Sequence, residues 1–304
     1  MTRPPRLSVV VPTWNGLALL RRHLPSLLAA CREMDGEVVV CDDASSDGTA
    51  EDLPREFPSV RLVRRERNGG FACAANDGIA AALGGIVVLV NNDVEILPGC
   101  LPLLADALER EPSAFAAVPS LVRPRTSEEE SGTRIRWRLG VLSTSIGTAT
   151  GAPPDYACGA AMAVRRERIV ALGGFDPLYA PFYWEDVDLS FRARRRGAVI
   201  ALVENARALH DHGETIGPRF ERREVARIYE RNRLIFTWKN VLDPSLWRRH
   251  LAALPCKAAW DAVAYPAFLA GLRDALRLRR PILAARAIER SVARPVADRV
   301  LLRL

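Results

Sequence analysis

Ile86-Val87-Val88-Leu89-Val90 runs straight into Asn91-Asn92-Asp93-Val94-Glu95. Five consecutive apolar residues read as a strand buried on both faces, the pattern of a parallel sheet covered by helices. A cluster of amides and carboxylates directly after such a strand sits at the sheet edge where open α/β folds hold their ligands. This junction predicts a fold class and the place in it where chemistry belongs.

The same pattern recurs on either side. Residues 7–11 form a strand stopped by Pro12, and a helix follows with Leu19, Leu20, Leu24, Leu27 and Leu28 on one face. Residues 37–41 form a strand stopped by Asp42-Asp43, and Ser46-Asp47-Gly48-Thr49 opens a short helix. A third strand at 61–64, a turn at Asn68-Gly69-Gly70 and a helix over 71–83 lead to the opening strand, and Pro98 starts the next helix. Alternating β and α with short connections predicts a doubly wound, mostly parallel α/β sheet flanked by helices. The alternation alone does not separate nucleotide-sugar binding from dinucleotide binding.

Further along, residues 123–148 are rich in Ser, Thr and Arg and predict a mobile loop over the site. A strand is expected at 157–164, a helix over 185–196 ending at Gly197, a strand at 198–203 and a long helix over 218–240. The chain is thus expected to hold one α/β domain, residues 1–240. A C-terminal amphipathic helical extension, residues 241–304, would be broken by Pro255, Pro266, Pro281 and Pro295.

A chain of 304 residues, 49% hydrophobic and 26% charged, has the make-up of a soluble globular protein. Residues 241–304 carry 12 basic and 5 acidic side chains, so the net charge of +7 belongs to the extension. Helices bearing Trp247, Trp260, Tyr265, Phe268 and Leu272 among arginines are expected to lie on an anionic membrane surface. A helical cap or dimer contact is the alternative. The six cysteines show no CxxC pairing, and Cys41 and Cys158 lie in apolar runs, as reduced thiols would. No run of 18 apolar residues occurs and the first strand leaves no room for a signal peptide. The expected location is cytoplasmic, peripheral on the inner face of the cytoplasmic membrane.

Five clusters have the composition of a site. Trp14 and Asn15 follow the first strand, where an aromatic ring can stack on a base or simply pack. Asp43 ends the second strand, where a carboxylate accepts from a base imide or a ribose hydroxyl; Asp47 reads better as a helix cap. Val11-Pro12-Thr13-Trp14-Asn15-Gly16 stands where a dinucleotide fold would carry GxGxxG, which argues against NAD. Asp93 is the candidate metal ligand, since a diphosphate-bound Mg²⁺ or Mn²⁺ takes only one or two protein carboxylates. Phe182-Tyr183-Trp184-Glu185-Asp186-Val187-Asp188 sets three acids beside three aromatics. Some of these acids are ordinary helix-dipole partners. One desolvated by Trp184 and Tyr183 becomes a better base. His210-Asp211-His212 holds two of the four histidines, and imidazole suits a divalent metal.

Together these blocks resemble the family 2 glycosyltransferases of GT-A fold, in particular their bacterial rhamnosyltransferase-like branch. The resemblance spans residues 6–240. It rests on Val9-Val10-Val11-Pro12-Thr13-Trp14-Asn15, Asp42-Asp43-Ala44-Ser45-Ser46-Asp47-Gly48-Thr49, Asn68-Gly69-Gly70-Phe71 with Asn76, and Asn91-Asn92-Asp93. Gly173-Gly174-Phe175-Asp176, Glu185-Asp186-Val187-Asp188-Leu189, His210 and Arg231-Asn232 complete it. It implies a nucleotide set of Pro12, Trp14, Asp43, Asn68 and Asn92. Trp14 would stack on the base and Asp43 would accept from the pyrimidine N3–H. It implies metal ligands Asp93 and His210, with His212 a less favoured substitute, and Asp186 as general base. Trp184, Glu185 and Asp188 would serve or support the acceptor. The implied reaction is inverting transfer of a sugar, rhamnose being favoured, from a dTDP- or UDP-sugar to a hydroxyl of a cell-envelope glycan or polyprenyl-linked acceptor.

One departure is visible: the triad is Asn-Asn-Asp, with a single carboxylate. A nucleotidyltransferase acting on sugar phosphates would carry a Gly-rich, Lys- or Arg-containing loop after the first strand. A non-catalytic nucleotide-sugar-binding protein would have lost Asp93 or Asp186. Nucleic acid is not an expected partner, because no recognition motif accompanies the basic extension.

Overall fold

The computed structural model describes residues 5–148, 151–211, 219–264, 266–293 and 295–304. His212 and Tyr265 lie outside the described residues. The N-terminal half alternates strictly: β1 (Leu7–Thr13), α1 (Leu17–Glu33), β2 (Glu37–Asp42), α2 (Thr49–Glu56), β3 (Arg61–Arg64), α3 (Phe71–Ala81) and β4 (Ile86–Val90). Then come β5 (Val94–Ile96), α4 (Cys100–Arg110), β6 (Ala114–Val122), β7 (Arg134–Arg138), β8 (Val141–Ser145), β9 (Ala161–Arg165) and α5 (Arg166–Ala171). After a 3₁₀ turn at Pro177–Tyr179 follow α6 (Glu185–Arg195), β10 (Val199–His210) and α7 (Arg222–Asn240). The last helices are α8 (Pro244–Ala264), α9 (Ala267–Arg277), α10 (Arg279–Arg290) and α11 (Asp298–Leu301).

Eight strands form one sheet in the order β3-β2-β1-β4-β9-β6-β10-β5. Strands β1 to β4 are parallel, β9 runs antiparallel between β4 and β6, and β5 is antiparallel to β10. Side chains alternate across the central strands, as the pleat requires. Val9, Val11, Val38, Val40, Val88 and Val90 pack against α1 and α4. Val10, Val39, Val87 and Leu89 pack on the opposite face against α3. A third core joins α6, α7 and the C-terminal helices through Phe191, Leu234, Phe236, Leu246, Phe268 and Ile282.

The structure corrects several expectations. Residues 134–145 are a hairpin, β7 paired with β8, rather than a mobile loop. Its Arg-rich strand alternates, so Ile135 is buried in the third core with Leu142 while Arg136 and Arg138 face water. Strand β10 does not stop at 203. A register shift between Val203 and Arg207 absorbs the irregularity, and pairing continues to His210. Pro255 does not break its helix, because α8 runs through it. Leu251, whose carbonyl loses its partner there, is exposed, so water can satisfy it. Strands β6 and β5 complete the sheet without having been anticipated.

Candidate functional site

A cavity of about 1180 Å³ opens along the C-terminal edge of β1, β2 and β4. Its wall includes Pro12, Trp14, Asp43, Asn68, Asn92, Asp93, His210, Trp184, Glu185 and Asp186. Among the described residues, every one of the predicted site residues except Asp188 therefore converges on one space.

Sheet pairing explains how Asp93 meets His210 across more than a hundred residues. Val94 of β5 pairs with His210 of β10 in antiparallel register, and the Asp211 amide donates to the Asp93 carbonyl at 3.2 Å. Asp93 Oδ1 is buried, makes no hydrogen bond and lies 3.6 Å from His210 Nε2. On the other side of the ring, Glu130 Oε2 is 3.4 Å from His210 Nδ1. Burial alone would lower the His210 pKa, but the Asp93 and Glu130 carboxylates overcome it and raise it to about 9. An orphaned carboxylate oxygen facing an imidazole nitrogen is a fitting donor pair for a hard or borderline divalent cation. Among the described residues no cluster of three or more His, Cys, Asp and Glu could by itself hold a metal ion. The remaining ligands would have to come from substrate and water. Asn92 instead donates to Thr13 Oγ1 at 2.8 Å, and a Cβ on Gly16 would collide with both groups.

At the wall formed by the ends of β1 and β2, Trp14 is half-buried, with Phe220 at 6.1 Å between ring centroids and the Arg219 guanidinium over its face. Asp43 is more heavily committed than its predicted role requires. Its carboxylate accepts from the Gly69 amide at 3.0 Å, from the Gly70 amide at 2.8 Å and from Arg65. It therefore builds the Asn68-Gly69-Gly70 turn. Gly70, at φ +81°, sits so close that a Cβ would meet the Pro181 backbone at 2.7 Å. Asp47 is not itself the cap of α2, which is Gly48; from one residue earlier it accepts from the Thr49 amide at 3.2 Å and from the Leu17 amide at 2.9 Å, tying together the starts of α2 and α1. Asn76 exchanges hydrogen bonds with the Phe175 backbone, docking Gly174-Phe175 on α3.

The third wall is the turn into α6. Tyr183 and Trp184 both have left-handed backbone, φ 71° and 76°, which costs energy in non-glycine residues. Asn232 of α7 holds that turn: its amide donates to the carbonyls of Tyr179 (2.6 Å), Phe182 (2.9 Å) and Tyr183 (2.9 Å). Arg231 donates to the Ala180 carbonyl beside it. The constrained turn aims Glu185 and Asp186 into the cavity. Burial raises the Asp186 pKa, held back by amides donated from Gly159 at 2.9 Å and Val187 at 2.7 Å. Glu185 is pushed well above the ordinary range by burial and by the neighbouring Asp186 charge.

Asp188 points away from the cavity, into the core. It accepts from Tyr179, Arg192, Lys239 and Asn240 at 2.7–2.9 Å. Burial would raise its pKa, but the Lys239 and Arg192 charges hold it far below the carboxylate range. Of the cysteines, Cys41 is fully buried and burial pushes its thiol up to about 12, whereas Cys158 is half-buried and lines the cavity.

Glu130 and Asn232 were not assigned roles from sequence. Glu130 sits in an acidic run, Glu128-Glu129-Glu130, with nothing local to show that it folds back to His210. Asn232 stood in the Arg231-Asn232 block, but its partners lie some fifty residues away.

A chain from Mycobacterium tuberculosis named N-acetylglucosaminyl-diphospho-decaprenol L-rhamnosyltransferase is 30% identical over 241 residues, covering 69% of this chain and 78% of that one. Pseudomonas aeruginosa undecaprenyl-phosphate 4-deoxy-4-formamido-L-arabinose transferase is 31% identical over 159 residues, covering 50% and 45%. Among solved structures, GalNAc-T7 with UDP, GalNAc and Mn²⁺ superposes with TM-score 0.67 at 18% identity, over 88% of this chain and 52% of that one. Staphylococcus aureus TarS with UDP-GlcNAc gives 0.55 at 18%, over 94% and 91%. These structures share the mixed α/β GT-A architecture. Residues 8–171 match the model "Glycosyl transferase family 2". That span carries the sheet from β1 to β9, including Asp43 and Asp93, and by it this chain belongs to glycosyl transferase family 2.

Proposed function

We propose that the protein is an inverting hexosyltransferase moving a sugar from a dTDP- or UDP-sugar to a hydroxyl of a polyprenyl-linked or other cell-envelope glycan acceptor. The observation that carries this reading is the arrangement of the cavity: Trp14, Asp43 and Asn68 at one wall, the Asp93–His210 pair beside them, and Asp186 on another wall. L-rhamnose is the favoured sugar, on the name of the M. tuberculosis relative.

The donor's base lies along Trp14, with its N3–H edge toward Asp43. Because Asp43 already holds the Gly69 and Gly70 amides, base reading adds to turn building in the same carboxylate. Asp93 and His210 would hold a Mg²⁺ or Mn²⁺ ion, which would supply charge compensation for the diphosphate. Glu130 orients the His210 ring from behind, so that Nε2 faces Asp93. Asp186 takes the proton from the acceptor hydroxyl. That oxygen bonds to the anomeric carbon from the face opposite the nucleotide, the anomeric carbon–phosphate oxygen bond breaks, and the nucleoside diphosphate leaves. Desolvation raises the basicity of Asp186 for this step, and burial disfavours charge on Glu185 beside it, which limits repulsion between the two carboxyls.

A donor panel tests this, with released nucleoside diphosphate as the readout, with and without Mn²⁺ or Mg²⁺. The expected result is release from a dTDP- or UDP-hexose that requires acceptor and cation. Release from no nucleotide sugar of the panel would reject the reading. Glu130→Gln is expected to weaken Mn²⁺ binding in the presence of nucleoside diphosphate about 10–100-fold, measured by EPR titration.

A further inference from the structure

Helix α8 has two apolar faces. One is turned inward, where Leu246 is buried and Leu254 and Ala258 pack on the core around Phe268. The other is open to solvent. From Leu251 to Trp260 the exposed positions are Leu251, Ala252, Pro255, Cys256, Ala259 and Trp260, none of them charged. Trp260 is 74% exposed. The outer face of a surface helix ordinarily carries charge.

The tip of the β7–β8 hairpin is fixed beside the start of this helix. His250 Nδ1 and the Gly140 carbonyl are 2.8 Å apart, and a Cβ on Gly140 would meet the Arg249 carbonyl at 2.5 Å. Leu139, at the tip, is 85% exposed. Arg249, Cys256 and Trp260 recur at i, i+7 and i+11, so the side of the helix that meets the hairpin continues to the tryptophan. Arg136, Arg138, Arg248 and Arg249 are exposed around this surface. No acidic residue occurs between 131 and 154 or between 244 and 260; Asp261 is the first on the helix. Exposed Leu and Trp ringed by arginine, without acids, match the chemistry of an anionic lipid interface. The described residues contain no helix long and apolar enough to cross a membrane.

The hairpin also reaches the cavity. Thr144, Ser145 and Ile146 line it, and the Thr144 hydroxyl lies 3.1 Å from the Tyr229 hydroxyl on α7. We propose that the outer face of α8 and the hairpin tip form one surface that seats on an anionic bilayer. That surface sets the cavity mouth beside the membrane, where a lipid-linked acceptor resides. Its purpose rests on the acceptor reading above, but vesicle binding reads no sugar chemistry, so the two fail separately. The competing surface is α10, which exposes Leu283 and Ile288 near Arg279, Arg280 and Arg290. Its described residues do not line the cavity, whereas Thr144 and Ser145 of the hairpin do.

The test is flotation of the full chain with phosphatidylcholine vesicles, with and without phosphatidylglycerol. Truncation is unsuitable because α9 and α10 complete the third core. The parent is expected to float only with the anionic vesicles. The double variant Leu139→Glu/Trp260→Glu should lose roughly tenfold or more in partitioning, with its melting curve and soluble-donor turnover unchanged. Leu283→Glu/Ile288→Glu should float like the parent, and Leu139→Glu alone should give a partial loss. The proposal is overturned if the parent does not float on anionic vesicles, or if the Leu139/Trp260 variant floats as the parent does. It is equally overturned if only the α10 variant is lost, or if light scattering shows a parent dimer that the Leu139/Trp260 variant dissociates.

Discussion

The first turn of α6 carries acids on two sides, and they live in opposite worlds. Asp186 lines the cavity, with backbone amides as its hydrogen-bond donors, and burial raises its pKa. Asp188, two residues on, is wrapped by Lys239, Arg192, Tyr179 and Asn240, and its pKa is strongly depressed. The same residue type in the same turn is the proposed base on one side and a structural anchor on the other. What differs is whether cations sit beside it. Chemistry belongs to the carboxylate left short of compensation, and stability to the one that is fully compensated.

The strongest way to break this contrast is to remove the anchor. Asp188→Asn leaves Arg192 buried without its carboxylate and Lys239 with Asp176 alone, and is expected to cost about 3–5 kcal/mol in urea unfolding. A change within error would show that the buried cluster does not hold the fold. Next comes the clasp that aims the cavity side. Asn232→Ala frees three carbonyls and relaxes the left-handed Tyr183-Trp184 turn, for an expected loss of about 1–3 kcal/mol and a fall in turnover. Unchanged turnover would mean that the turn needs no clasp.

The smallest effect sharpens the comparison through pH. The raised pKa of Glu185 means that the fold favours its protonated form. Its stabilising contribution is full below the ordinary carboxyl pKa and is lost as pH rises toward the folded value. Glu185→Gln, a neutral isostere, should therefore melt slightly higher than the parent at about pH 8 and equally at about pH 4. A variant less stable at the higher pH would show Glu185 to be a paired anion instead.

The central sheet was readable because its strands hold uninterrupted apolar runs; 9–11, 38–41 and 86–90 need no context to be recognised. The elements that escaped lack that signal. Strand β6 contains Pro119, β5 has three residues, and the arginines of Arg134-Ile135-Arg136-Trp137-Arg138 hide an alternation that only the third core reveals. The site divides the same way. Asp93 and Asp186 follow local strand-end and helix-start patterns. Glu130 reaches His210 through an irregular segment, and Asn232 reaches its turn from another helix, so only tertiary structure brings them in. Asp43 was legible as a site residue, but its hold on the Gly69-Gly70 amides was not.

The most direct test is Asp186→Asn, with turnover and donor binding measured on the same preparation. Turnover is predicted to fall about 10²- to 10⁴-fold, while donor affinity and melting temperature stay close to those of the parent. Near-parent turnover would remove Asp186 from the role of base and contradict the account.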